Sequence, residues 1–166
     1  MPEKIALLLP DEEATLLLGA LLARSACGVA HPAALLLQGD LGSGKTTLVR
    51  GLVGELPGAN ESEVSSPSFN LVNLYPTTPP VAHFDLYRTP GNTPEEFYDC
   101  VEDQHTLIVA EWIDSIPTTD WPQDALYLKW TTVPSGRAVE ISAWGKTACD
   151  QLAYLAPSLN QWQKGF

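Results

Sequence analysis

Apolar positions along the chain change their period several times, and each change marks a new element. After Pro10-Asp11-Glu12-Glu13 an apolar-rich stretch runs through Leu16, Leu17, Leu21 and Leu22 to Gly28. A capping carboxylate, acidic residues in the first turn and a closing glycine frame this stretch as a helix. The run Ala34-Leu35-Leu36-Leu37-Gln38 reads as a strand, and Thr46 to about Leu56 reads as a second helix. Pro57-Gly58-Ala59-Asn60-Glu61-Ser62 then breaks regular structure, and the loop from 57 to 67 is expected to be mobile. Two strand-like runs follow, Asn70 to Tyr75 and Val81 to Tyr87, joined by Pro76-Thr77-Thr78-Pro79-Pro80 as a hairpin with a stiff connection.

Period two sorts the second of these runs. Ala82, Phe84 and Leu86 share one face and suit the core, whereas His83, Asp85 and Tyr87 share the other and, taken alone, read as a solvated stripe. Thr93-Pro94-Glu95-Glu96 has the form of a capping box, with Thr93 as N-cap and a short helix to about Asp103. Thr106-Leu107-Ile108-Val109-Ala110 is continuously apolar, as in a strand buried on both faces, and it ends at Glu111-Trp112. Leu126 to Val133 and Arg137 to Ala143 alternate apolar and polar residues and form a hairpin across Pro134-Ser135-Gly136. A last helix is expected from Thr147 to Leu155, stopped by Pro157. There is no internal repeat.

Between the first apolar strand and the second helix lies Gly39-Asp40-Leu41-Gly42-Ser43-Gly44-Lys45-Thr46, which fits G-x-x-x-x-G-K-[ST] in the required strand, loop, helix order. A polyphosphate needs several backbone N–H groups turned toward one point, and glycine permits that geometry and the close approach of the anion. Lys45 then supplies a point charge to the β- and γ-phosphates, Thr46 a hydroxyl to Mg²⁺, and the helix its positive dipole end.

Composition narrows the picture. The 166 residues make about one domain, long enough to bury roughly two-thirds of the extended chain's surface. The formal charge of −11, with 20 acidic and 9 basic residues, opposes direct, tight binding of a nucleic-acid backbone. Cys27, Cys100 and Cys149 are odd in number and widely separated, with no C-x-x-C pair, and read as reduced thiols. The first residues lack a basic targeting pattern, and no apolar run approaches the ~20 residues that span a bilayer. A soluble, unexported, cytoplasmic protein without membrane contact is the expectation.

Phosphoryl chemistry at such a loop needs a second carboxylate and a group that orients the attacking oxygen. Glu111 ends a buried strand, where an ionised carboxylate is costly unless it faces a cation or hydrogen-bond donors, so it is the candidate magnesium contact. Asp85 could act on water, on a switch loop, or as a salt-bridge partner of Arg88. Arg24, Arg50, Arg88 and Arg137 are the only arginines, and none lies in an arginine-rich lid of the kind kinases carry. No Asn-Lys-x-Asp guanine-reading motif occurs, which favours adenine. A P-loop kinase acting on a small metabolite is the alternative that the loop alone permits, and a nucleotide-gated binding module is a third.

Four segments together, Gly-Asp-Leu-Gly-Ser-Gly-Lys-Thr-Thr at 39–47, Ser-Pro-Ser-Phe at 66–69, His-Phe-Asp-Leu-Tyr-Arg at 83–88 and Glu-Trp at 111–112, resemble the TsaE family, also called YjeE. These are small ATPases of bacterial tRNA threonylcarbamoyladenosine biosynthesis, and the resemblance covers about residues 5 to 145 in order and spacing. It implies a three-layer α/β P-loop NTPase-like fold with a mixed parallel and antiparallel sheet. ATP and Mg²⁺ are the implied ligands, with slow intrinsic hydrolysis and work in a complex with TsaD and TsaB. Those partners modify the adenosine beside the anticodon, so tRNA contact is indirect, in keeping with the acidic charge. No stable metal other than Mg²⁺ with nucleotide is implied.

Carried over residue by residue, Lys45, Asp85 and Glu111 are the catalytic candidates, with Thr46 and Glu111 on the metal. The candidate nucleotide contacts are Gly39, Asp40, Leu41, Gly42, Ser43, Gly44, Lys45, Thr46, Thr47, Trp112, Arg137, Asp11 and Thr15. The family usually carries Ser-Pro-Thr-Phe where this chain has Ser66-Pro67-Ser68-Phe69, which keeps the hydroxyl and loses a methyl. Residues 1–146 are expected to form the ATPase domain, with 147–166 as a helix and tail of the same domain or a flexible extension. His83 either holds its strand through a hydrogen bond or touches substrate, and His31 and His105 read as ordinary loop histidines. Trp130 and Trp144 suit sheet packing, whereas Trp121 and Trp162 read as partly exposed anchors.

Overall fold

The computed structural model describes residues 3–59, 63–65, 67, 71–87 and 89–163. Among them a seven-stranded sheet forms, in the spatial order β1-β7-β6-β2-β5-β4-β3. In chain order the strands are β1 (Glu3–Leu9), β2 (Ala34–Gln38), β3 (Val72–Tyr75), β4 (Val81–Asp85), β5 (Leu107–Glu111), β6 (Ala125–Thr131) and β7 (Arg137–Trp144). The four inner strands β6, β2, β5 and β4 run parallel, while β3 on one side and β7 and β1 on the other pair antiparallel. The expected mixed sheet is therefore present. Its polarity matters most for function, because β2, β4 and β5 all end at the same edge.

Helices α1 (Glu12–Ala26), α2 (Lys45–Glu55) and α4 (Lys146–Leu159) cover one face of the sheet, and α3 (Glu95–Asp103) lies on the other. Leu35 and Leu37 of β2 enter the larger core beneath α1, α2 and α4, whereas Ala34 and Leu36 enter the smaller one around Phe84 and Phe97. Period two thus splits a single apolar run between two cores, which is why β2 shows no polar alternation. No helix among the described residues is long and apolar enough to cross a membrane. None of the three cysteines is paired in a disulfide.

Several sequence expectations shift. β1 has no counterpart among the predicted elements; it is an edge strand, pairing with β7 over its whole length and burying Leu7 and Leu9 while Leu8 stays exposed. The stripe of His83, Asp85 and Tyr87 is solvated only toward its end: Tyr87 is exposed and Asp85 half-buried, but β4 lies inside the sheet, paired with β5 on one side and β3 on the other, and His83 is completely buried. The capping box is displaced, since α3 begins at Glu95 with Pro94 as cap, and the Thr93 hydroxyl donates instead to Asp120 Oδ2 at 2.6 Å. Pro157 does not end α4, which continues to Leu159. Pro157 and Ala153, whose carbonyl loses its i→i+4 partner, are both exposed, while Leu155 and Leu159 hold the turn in the core. Trp162, expected at the surface, is buried against that same core.

The C-terminal helix is bonded into the body of the protein. Gln151 Oε1 accepts from Ala33 N at 2.9 Å and its Nε2 donates to Ser25 Oγ at 3.0 Å, while Asp124 caps the helix start by accepting from Thr147 and Ala148 N. The expected mobility of the 57–67 loop concerns residues that lie partly outside the described ones, as does the Ser66-Pro67-Ser68-Phe69 segment.

Helices α1 and α2 approach unusually closely, and two glycines permit it. A Cβ at Gly19 would lie 2.1 Å from the Leu48 carbonyl oxygen, and one at Gly51 would lie 2.2 Å from that of Leu16. Backbone blocks both positions, so no side-chain adjustment relieves the clash. Gly51→Ala should therefore lower stability by about 1–3 kcal/mol in urea unfolding. Gly54→Ala, on the same helix but with nothing within 4 Å of its would-be Cβ, should instead gain roughly 0.5–1 kcal/mol.

Candidate nucleotide site

The backbone path after β2 builds the loop. Ser43 N donates to Asp40 O at 3.1 Å to close a tight turn, and Gly44 caps α2 at φ 112°. That dihedral is favourable only without a Cβ, and it is what turns the chain directly into the helix. Lys45, the first helical residue, is 5% exposed. Its ammonium donates to the Gly39 carbonyl through a short hydrogen bond and to the Asp40 carbonyl at 3.3 Å. Burial pushes the Lys45 pKa down, and the carboxylates of Glu111, Asp85, Asp40 and Asp114 partly offset the shift.

Parallel pairing brings the carboxylates to this lysine. Glu111 ends β5 opposite Leu37 of β2 and opposite Asp85, the last residue of β4. Glu111 is 3% exposed; its Oε2 meets His83 Nε2 at 2.5 Å. Asp85 is half-buried, and its Oδ1 accepts from Tyr87 N at 3.0 Å. Arg88, its suggested salt-bridge partner, lies outside the described residues.

Trp112 follows directly at φ 59° and ψ 42°, left-handed backbone that bulky side chains rarely adopt. Its N–H still donates to Leu37 O at 3.1 Å, so β5 stays bonded to β2 while the chain turns sharply. The indole centroid then lies 4.3 Å from Lys45 Nζ, a cation–π contact, and 4.9 Å from the Tyr87 ring. Backbone strain of this kind persists where surrounding structure enforces it, most often at binding sites.

These groups open onto a cavity of about 510 Å³, within the usual range for small-molecule sites. Leu41, Gly42, Ser43, Gly44, Lys45, Thr46 and Thr47 form its floor, with Asp85, Glu111 and Trp112 on one side. The opposite wall is Asp11 and Thr15 from the start of α1, with Arg137 from the start of β7. Asp11 caps α1 by accepting from Ala14 N at 2.9 Å, and Arg137 Nε donates to the Ser43 carbonyl at 3.2 Å. Gly39 and Asp40 are not among the lining residues: their carbonyls hold Lys45, and Asp40 lines a smaller cavity of about 220 Å³ on the other side of the loop.

Sequence reasoning missed part of this wall. Leu9, Pro10, Glu12 and Gly136 also line the cavity, because the unpredicted β1 brings the Leu9-Pro10 turn beside the β6–β7 hairpin. It also missed the His83 contact with Glu111, whose sequence signals were alternation with Asp85 and a place at the start of the 83–88 segment.

The residues present fit a magnesium-bound nucleotide. The Ser43 hydroxyl, buried in the loop beside Gly39, has no hydrogen-bond partner, and Lys45 is held by carbonyls of its own loop, so both groups are available to turn to an anion. Among the described residues no cluster of three or more His, Cys, Asp or Glu side chains could hold a metal alone. The Thr46 hydroxyl and the Glu111 carboxylate are hard oxygen donors of the kind that bind Mg²⁺ jointly with phosphate.

A family model described as "Threonylcarbamoyl adenosine biosynthesis protein TsaE" matches residues 9–139, which span the loop, both carboxylates and Arg137. The chain belongs to the TsaE family. A TsaE protein of Nostoc sp. (strain PCC 7120) is 33% identical over 155 residues, covering 87% of this chain and 90% of that protein. One from Rickettsia felis is 38% identical over 114 residues, covering 66% of this chain and 63% of its own length. Both are named "tRNA threonylcarbamoyladenosine biosynthesis protein TsaE". The crystal structure of Bacillus subtilis YdiB shares the fold, with a TM-score of 0.75 at 22% identity over 96% of this chain and 99% of that one.

The charges around Lys45 make a signed prediction. Glu111→Gln removes a carboxylate that raises the lysine's pKa, so that pKa should fall further below the ordinary 10.5. A ¹³C-lysine NMR titration of the nucleotide-free protein would read it.

Proposed function

We propose that this protein is the nucleotide-binding and ATP-hydrolysing subunit of the tRNA N6-threonylcarbamoyladenosine machinery, working in the cytoplasm with TsaD and TsaB. A role in that modification accords with TsaE family membership and with the names of its relatives. One observation carries the hydrolytic reading: Lys45, Thr46, Asp85, Glu111 and Trp112, drawn from three separate segments, line one cavity. In this reading Lys45 and the loop N–H groups bind the β- and γ-phosphates, and Thr46 and Glu111 hold Mg²⁺. The ion supplies charge neutralisation on the phosphates. Asp85, in register with Glu111, is the group placed to orient water.

The wall of Asp11, Thr15 and Arg137 is the side for base and ribose, and adenine is the base in the absence of a guanine-reading motif. Among the described arginines only Arg137 lines the cavity, and Arg24 pairs with Glu55 at 3.0 Å. The described residues thus offer no cationic lid of the kind the kinase alternative requires. The charge of −11 suits a subunit that leaves tRNA to its partners.

Lys45→Ala and Glu111→Ala should each slow phosphate release by about 100-fold or more. Both should also abolish multiple-turnover tRNA modification in a mixture reconstituted with TsaB and TsaD. Sustained turnover by both variants would sink the hydrolytic reading. Transfer of labelled γ-phosphate to a metabolite in the absence of partners would instead favour a kinase. Removing Mg²⁺ with EDTA should stop hydrolysis, and adding it back should restore the rate.

A further inference from the structure

His83 is fully buried in β4, between Ala82 and Phe84. Val81, two residues earlier on the same face, is an ordinary core residue, and packing alone would be served by another valine. An imidazole in that place is costly unless its nitrogens are bonded, and both have partners. Nε2 lies 2.5 Å from Glu111 Oε2, and Nδ1 lies 3.5 Å from the Tyr75 hydroxyl. So short a contact needs a proton between nitrogen and carboxylate. With that proton on Nε2, Nδ1 can accept from the Tyr75 hydroxyl.

The bond falls on the one fully buried carboxylate that lines the nucleotide cavity. A glutamate has three rotatable side-chain bonds, and ordering it costs conformational entropy. Here the ordering is done within the folded protein, before any ligand arrives. The bond takes one carboxylate oxygen, and the other is the one a cation can use. The single Tyr75 hydroxyl proton can instead go to the Ser65 carbonyl, 3.4 Å away, which also accepts from Asn73 Nδ2 at 3.1 Å. Ser65 directly precedes the Ser-Pro-Ser-Phe segment.

We propose that His83 is a positioning residue for the cation of the nucleotide site: it fixes Glu111 through Nε2, with the Tyr75 hydroxyl beside Nδ1 supporting the ring. The assignment rests on the reading of Glu111 as a magnesium contact. Partners of metal-binding side chains generally set metal affinity by about 10–100-fold. His83 should therefore act on the metal and hardly at all on the nucleotide.

The test titrates MgCl₂ into the full-length protein saturated with a fluorescent ADP analogue, alongside the metal-free affinity for that analogue. His83→Leu should raise the half-saturating Mg²⁺ concentration by about 10–100-fold, leaving metal-free affinity within about twofold of wild type. His83→Gln, whose amide nitrogen can occupy the place of Nε2, should recover most of the loss. His83→Asn, which reaches only the Nδ1 side, should not. Tyr75→Phe should give a smaller loss than His83→Leu.

Unchanged Mg²⁺ dependence in a folded His83→Leu protein would overturn the proposal. So would indistinguishable Gln and Asn variants, and that comparison alone decides if the Leu variant fails to fold. Wild-type protein that binds the analogue with no Mg²⁺ dependence would instead remove the magnesium reading of Glu111, and the positioning role with it.

Discussion

Burying the Lys45 ammonium is costly unless polar and negative groups surround it, and the C-terminal edge of the sheet is arranged to provide them. Loop carbonyls hold it from below, the Trp112 ring faces it, and Glu111 and Asp85 stand at the ends of adjacent strands. The place of the two carboxylates depends on parallel pairing. If β4 or β5 shifted by one residue against its neighbour, the carboxylates would move to the opposite face of the sheet. The sheet's register is therefore also the register of the site.

The second wall depends on a different contact. Asp11 and Thr15 reach the loop only because α1 lies almost against α2, and that approach exists because Gly19 and Gly51 have no side chains. Thr15 is buried where its methyl would lie 3.7 Å from a Cβ at Gly44. The floor and this wall of the cavity are thus parts of one packed helix pair. Arg137, on the same wall, is bonded to the loop at Ser43, so β7 also bears on the floor.

Glu111 shows how few groups serve several purposes in a small domain. It raises the pKa of Lys45, lines the cavity and binds His83. Its environment explains how a carboxylate can end a fully buried strand without the penalty that an isolated charge would carry. The strained turn at Trp112 serves the same edge, since it brings an aromatic face over the ammonium while the strand keeps its bond to Leu37.

Much of this was legible in the chain. Strand, loop and helix order around Gly39 to Thr46 follows from glycine conformation and apolar period, and Glu111 stood out as a carboxylate ending an unbroken apolar run. The capping of α1 by Asp11 and the two hairpins follow equally from local rules. What could not be read is what depends on neighbours. Alternation in β4 marks His83 as polar-facing, but whether that face meets water or Glu111 depends on which strand lies beside it, and β5 is more than twenty residues away. The same holds for β1, an edge strand that exists only because β7 pairs with it, and for Pro157, tolerated because its ring faces outward. Local chemistry determined the loop and its chemical class. Long-range pairing decided which polar groups surround it, because a side chain's environment is set by the strands and helices packed against it and not by its own sequence neighbours.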